Sequence, residues 1–197
     1  MRVWSFQPVE IYEQLKSQRT LYADENKIEM FHFDGMEDTV SRRAYDYMVE
    51  KMVEKINYPK PEQAKYPWWA WYKFDGKNEK PDMRKKECHY SEDMVCLELE
   101  LPDNQVLLSD EELWHCPLNN APIILDEDDE TWNWMYDWYQ SLDETIKQSK
   151  IEKTWEHCFD VSSHLDSGLY LGQWIQATFW KLRLTDIKDV RYVKSRS

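Results

Sequence analysis

Glycine is scarce in this chain, four residues in 197, and that scarcity excludes every site built on Gly-rich backbone. Neither GxGxxG nor GxxxxGK(S/T) is present, so a Rossmann dinucleotide crevice and a P-loop are both ruled out. The nucleophile elbow GxSxG is missing too, which leaves a hydrolase triad with little to stand on. Positive charge is in deficit: 25 Lys and Arg face 38 Asp and Glu, a formal charge of −13 and a pI near 4.8. Such a surface repels a polyphosphate at long range, so general nucleic-acid binding is not expected, a local basic cleft aside. Long apolar runs are lacking as well. No stretch approaches the roughly 18 apolar residues of a membrane span, and the opening MRVWSFQPVE has no apolar signal core. The expectation is a cytoplasmic protein with no membrane partner.

Cysteine is present but few, at positions 88, 96, 116 and 158. Without an export signal these are expected as free thiols in a reducing compartment. The adjacent pairs Cys88-His89, His115-Cys116 and His157-Cys158 lack the CxxC turn that brings two ligands onto one zinc, because neighbours in a helix or strand point apart. No metal is expected.

What the chain has in abundance is aromatic surface, with 11 tryptophans and 42% hydrophobic residues. That is enough to offset chain entropy, and the length suits one domain over residues 1–197. RVWSF reads as a short strand, and Pro8 opens a helix over EIYEQLKSQ. Residues 20–38 read as a surface loop with a lone Gly35. A helix from Thr39 to Ile56, with Thr39 or Ser41 as cap, is stopped by Pro59 and Pro61.

The segment KYPWWAWYKFDG predicts an aromatic strand ending in a turn at Asp75-Gly76. Tyr66, Trp68, Ala70 and Tyr72 would share one face and Trp69 and Trp71 the other. Residues 93–101 alternate as a half-exposed strand, with Val95, Leu97, Leu99 and Leu101 inward and Cys96, Glu98 and Glu100 outward. Ser109-x-x-Glu112 matches a capping box opening a brief helix that Pro117 ends.

The acidic run LDEDDE begins a helix over TWNWMYDWYQSLDETI. Trp134, Met135 or Tyr136, Trp138 and Leu142 are placed toward the core. A further helix is predicted over 151–159, followed by a loop carrying Gly168 and Gly172. QWIQATFWKL and VRYV close the chain as strands. The fold class is α+β, a mixed or antiparallel sheet with helices at its sides and a cleft near the aromatic strand.

Two constellations carry functional meaning beside a plainer one. The rings at 66, 68, 69, 71 and 72 are explained by core packing alone, yet tryptophans on both faces of one strand are hard to bury, so one face meets a ligand or partner. Arg84, in PDMRKK, belongs to the one concentration of positive charge. It is either a solvated loop residue or a bidentate phosphate holder. Stacking and phosphate pairing address two ends of one nucleotide, so this loop and the aromatic strand are expected to border one pocket.

The order of VWSFQPVEIYEQL, KYPWWAWYKFDGKNEKPDMRKK, LELELPDNQVLLSDEELWHCPLN, WEHCFD and WIQATFWKLRLTDIKDV resembles the bacterial domain-of-unknown-function family 3841 over essentially the whole chain, and that resemblance brings no activity with it. The layout of an opening strand with a polar residue, a helix, an aromatic middle, and a late QAxxx strand before Ile-x-x-Val is also similar to ADP-ribosyltransferases of the DNA-modifying toxin type. In those enzymes the first strand carries a His that holds the nicotinamide ribose and the late strand a Glu that orients the acceptor. The matching positions here are Gln7 and either Gln176 or Thr178.

Neither signature side chain stands at those positions, so the resemblance implies NAD binding with weak or absent transferase catalysis. Gln7 would hold a ribose hydroxyl, Trp69 or Trp71 would stack the base or nicotinamide, Arg84 would meet the pyrophosphate, and Gln176 would face the reacting ribose. The rival reading is a non-enzymatic acidic module whose Trp-rich surface and LDEDDE helix dock a basic protein partner.

Overall fold

The computed structural model of the protein describes residues 1–33, 36–37, 39–125, 128–161 and 171–195. Gly35, Gly168 and the Asp126-Glu127 portion of the acidic run lie outside the described residues. In chain order the elements are β1 (Arg2–Pro8), α1 (Val9–Gln18), β2 (Thr20–Leu21), β3 (His32–Phe33), β4 (Met36–Glu37), α2 (Thr39–Lys55) and β5 (Trp68–Lys73). There follow β6 (Met94–Glu100), β7 (Leu107–Asp110), α3 (Glu111–Leu118), α4 (Asp129–Ser141), α5 (Glu144–Thr154), β8 (Ile175–Phe179), β9 (Leu182–Arg183) and β10 (Ile187–Val193).

One six-stranded sheet in the order β10-β6-β1-β5-β8-β7 organises the chain, and each of its strand pairs is antiparallel. Two short pairs, β2-β9 and β3-β4, stand outside it. This is the expected α+β class with an antiparallel sheet.

Strand alternation sorts the sheet into two apolar faces. Val3, Ala70, Leu97, Leu99, Ala177 and Phe179 lie on one face and pack against Ile11 and Leu15 of α1. The opposite face splits. Near β7, Leu107 joins Met48 of α2, Trp114 of α3, Ile151 of α5 and Trp155. Near β6, Trp4, Met94, Cys96 and Val193 are covered by Met83 and Tyr90 from the basic segment after β5.

That cover corrects the expected half-exposed strand at 93–101. Cys96 is buried because the basic segment folds back over it, and Glu98 is half-buried, accepting a hydrogen bond from Trp4 Nε1 at 3.4 Å. Glu100 alone behaves as predicted and is exposed.

The Asp75-Gly76 turn forms as expected. Both residues are left-handed, φ 57° and 76°, the geometry a two-residue hairpin turn requires, and Phe74 and Lys77 exchange backbone hydrogen bonds of 2.9 and 3.3 Å. A Cβ on Gly76 would lie 2.5 Å from Gln173 Oε1.

The helices differ from the sequence reading in three respects. Asp110, not Ser109, caps α3, its carboxylate accepting from Leu113 N–H at 3.3 Å. Pairing of Ser109 with Gln176 across β7 and β8 keeps Ser109 extended and buried, so the cap falls one residue later, and Pro117 sits inside the last turn of α3. The helix predicted over 151–159 begins at Glu144, where Asp143 accepts from Thr145 N–H, and Trp155–Phe159 is a 3-10 turn.

The third difference concerns orientation. In α4 only Tyr139 is buried, with Met135, Tyr136 and Leu142 packed beside it, whereas Trp134 and Trp138 are 67% and 41% exposed. The aromatics of this helix spread over about half of its circumference, wider than the one inward stripe of a surface helix.

Candidate functional site

Two prolines open the sheet. Within the described residues, β1 and β5 share one registered pair, Trp4 with Trp71. In that register Pro8 falls opposite Pro67, and neither has an N–H to extend the ladder. Side chains take over on both sides of the pair. The Ser5 hydroxyl donates to the Trp69 carbonyl at 2.7 Å, and Asn78 Nδ2 donates to the carbonyls of Arg2 and Tyr72.

Where β1 and β5 part, a cavity of about 940 Å³ lies between them, α1 and the segment after β2. Tyr22, Tyr45, Trp68 and Trp69 supply its aromatic lining, and Gln7, Gln14 and Asn26 its neutral polar groups. Gln7 Nε2 donates to Ser5 Oγ at 2.8 Å, so one relay orients the amide: Gln7 to Ser5, Ser5 to the Trp69 carbonyl. Trp69 is itself braced by Tyr45 and Trp114, with ring centroids 5.5 and 5.6 Å away. Its indole Nε1 is buried without an acceptor among the described residues. Burial pushes the Tyr45 hydroxyl up to about 12, so it stays a neutral phenol at neutral pH.

Charge at the cleft is unbalanced. Glu10, Asp24 and Glu92 line it, against one cation, Lys27. Lys27 Nζ reaches across to Glu10 at 2.9 Å, and this hydrogen bond holds the lysine above its ordinary value. An anion entering here meets three carboxylates and a lysine already paired.

Of the residues singled out in the sequence, Gln7 and Trp69 meet at this cleft. Trp71, Arg84, Gln176 and Thr178 do not line it. Trp71, on the same face of β5 as Trp69 but two residues further along the strand, packs against Phe74 and Trp174, ring centroids 5.5 and 5.8 Å away. Gln176 is on that same face, paired in register with Trp71 and Ser109. Its Oε1 and the Ser109 hydroxyl are both buried and unpartnered among the described residues. Thr178 is fully buried and donates to the Leu107 carbonyl at 3.2 Å.

Arg84 is 85% exposed, and its guanidinium fork is engaged with Asp82 at 2.8–3.3 Å, which pulls the Asp82 carboxyl down to about 2. A phosphate at Arg84 competes with that carboxylate. Tyr22, Tyr45, Ser5 and the two prolines are positions at the cleft to which the sequence reading gives no site role. The legible signal was a proline at the end of one strand and another at the start of its neighbour.

No disulfide joins the four cysteines. Burial raises Cys96 to about 12 and Cys116 to about 11, which makes both poor nucleophiles. Among the described residues no group of three or more His, Cys, Asp or Glu is placed to hold a metal ion, and no helix is long and apolar enough to cross a membrane.

With this geometry in place, comparison with known proteins adds one finding. The family model described as a domain of unknown function, DUF3841, matches residues 2–188, and the chain belongs to that family. No curated protein and no solved structure matches it.

Proposed function

We propose that this chain, a member of a family defined without an activity, binds a nucleoside-type ligand, a planar heterocycle carrying a ribose, in the cleft where β1 and β5 part. The observation that supports this is the meeting of one oriented amide, Gln7, with four aromatic side chains in about 940 Å³, a volume within the usual range of small-molecule sites. The base lies against the aromatic wall by offset stacking, and Gln7 hydrogen-bonds a ribose hydroxyl.

NAD fits this reading through one of its nucleoside halves. The pyrophosphate is the poor match, because the lining contributes Glu10, Asp24 and Glu92 against Lys27 alone and like charge in a cleft repels an anion. The preferred ligand is therefore neutral or cationic.

Binding is the activity proposed, with turnover slow or absent. Gln7 and Gln176 are amides and Gln176 does not line the cleft, so the two positions that match the transferases offer no charge to a developing oxocarbenium ion, and of the acids that do line the cleft Glu10 is already paired with Lys27. Calorimetry with adenosine, nicotinamide riboside and NAD tests the proposal. The nucleosides bind at least as tightly as NAD, and Gln7→Ala weakens them by about tenfold, the value of one hydrogen bond to a buried partner. Rapid release of nicotinamide from NAD, or no binding of any of the three, overturns it.

A further inference from the structure

Helix α4 already has its inward stripe in Tyr139, Met135 and Leu142. Trp132 and Tyr136 stack on one flank, centroids 5.2 Å apart and planes 7° apart. Away from both, Trp134 and Trp138 stand 67% and 41% exposed, one helical turn from each other on the outward side. Large rings held in water on a regular helix are the side chains most enriched at the centres of protein contacts.

Charge says what covers them. α4 carries Asp129, Glu130 and Asp137, is capped by Asp128, and contains no lysine or arginine. Glu130 precedes Trp134 by four residues and Asp137 follows it by three, which puts both carboxylates beside the indole.

Independently of the cleft, we infer that the outward face of α4 is a docking surface for a basic amphipathic helix of a partner protein. Apolar side chains of such a helix fit between two indoles spaced one turn apart, ridge into groove. Its lysines and arginines meet the carboxylates and the indole faces together, by ion pairing and cation–π contact.

The same charges argue against the other occupants. Nucleic acid and anionic lipid headgroups are repelled. A second copy is disfavoured because a two-fold contact would set Glu130 and Asp137 against their own equivalents, in a chain of net charge −13.

The test uses the full chain and a synthetic amphipathic Leu/Lys helix as probe, titrated by calorimetry at low and moderate salt. The wild type binds the probe, and a peptide of the same composition scrambled out of helical register binds far less. Trp134→Ala with Trp138→Ala weakens binding by about 30-fold or more while leaving the thermal midpoint in place. Glu130→Gln with Asp137→Asn weakens it by about threefold to tenfold and flattens its salt dependence. Equal binding by the tryptophan double variant, or no preference for the amphipathic over the scrambled peptide, overturns the inference. So does a concentration-dependent dimer that the double variant abolishes, which assigns the face to a second copy. Tryptophan-dependent binding to phosphatidylcholine vesicles, with none to the peptide, assigns it to a membrane and overturns it equally.

Discussion

Strand β5 and helix α4 are both dense in tryptophan, and the fold treats them in opposite ways. Trp68 is buried and Trp69 and Trp71 are partly buried, while Trp132, Trp134 and Trp138 are each at least 40% exposed. The difference is geometric. A central strand sends alternate side chains to two faces, and here both faces are covered, by α1 on one side and α2 and α3 on the other. A surface helix has one covered stripe, so aromatics spread wider than that stripe leave some in water. Aromatic density alone therefore does not say where a ring goes. The number of covered faces does.

The strongest way to break this comparison is to remove one indole from each region. Trp68 is 8% exposed, and its Nε1 donates to the Leu21 carbonyl at 3.2 Å. Trp68→Ala removes a large buried side chain and a hydrogen bond, and the expected loss is about 3–5 kcal/mol by urea unfolding. Trp134→Ala on the exposed face of α4 changes stability by within about 0.5 kcal/mol. Similar losses at the two sites would end the contrast.

A second, smaller effect lies where β5 leaves β1. Ser5 is fully buried, donating to the Trp69 carbonyl and accepting from Gln7. Ser5→Ala strands that carbonyl and frees the Gln7 amide, at an expected cost of about 1–3 kcal/mol. Nucleoside affinity falls with it, since the amide loses its orientation. A variant of unchanged stability with unchanged affinity would mean that the relay orients nothing.

Much of this fold could be read from the sequence because local chemistry and global packing agree there. The Asp75-Gly76 turn, the faces of Trp68, Trp69 and Ala70, and the inward side of residues 95–99 all follow from a two-residue period and left-handed turn chemistry. The misread parts depend on contacts distant in sequence. Cys96 is buried by Met83 and Tyr90 folding back, and Ser109 is held in a strand by Gln176. Half of the candidate site was visible in Gln7 and Trp69. Arg84 was singled out for its charge, but its partner, Asp82, stands two residues earlier and satisfies it. Tyr22 and Tyr45 reach the cleft only through tertiary packing, which no local pattern encodes.

The smallest expected effect is electrostatic, and it also separates the two regions. α4 contains no lysine or arginine, whereas the segment after β5 is fastened by ion pairs. Arg84 holds Asp82 at about 2, below its ordinary value of 3.8. Hydrogen bonds from Lys80 and then Arg191 hold Asp189 at about 2 as well, and Lys80 thereby ties this segment to β10 at 2.7 Å. A carboxyl depressed on folding binds fewer protons in the folded than in the unfolded chain. Its contribution is complete above 3.8 and is lost as pH falls through about 2. Both carboxylates are solvated, so the contribution is small and screened by salt. Urea midpoints should therefore fall between about pH 4 and about pH 2, and Asp82→Asn with Asp189→Asn should make that fall shallower. A wild type and double variant with identical acid profiles would show that these pairs hold the basic segment no more firmly than solvent does.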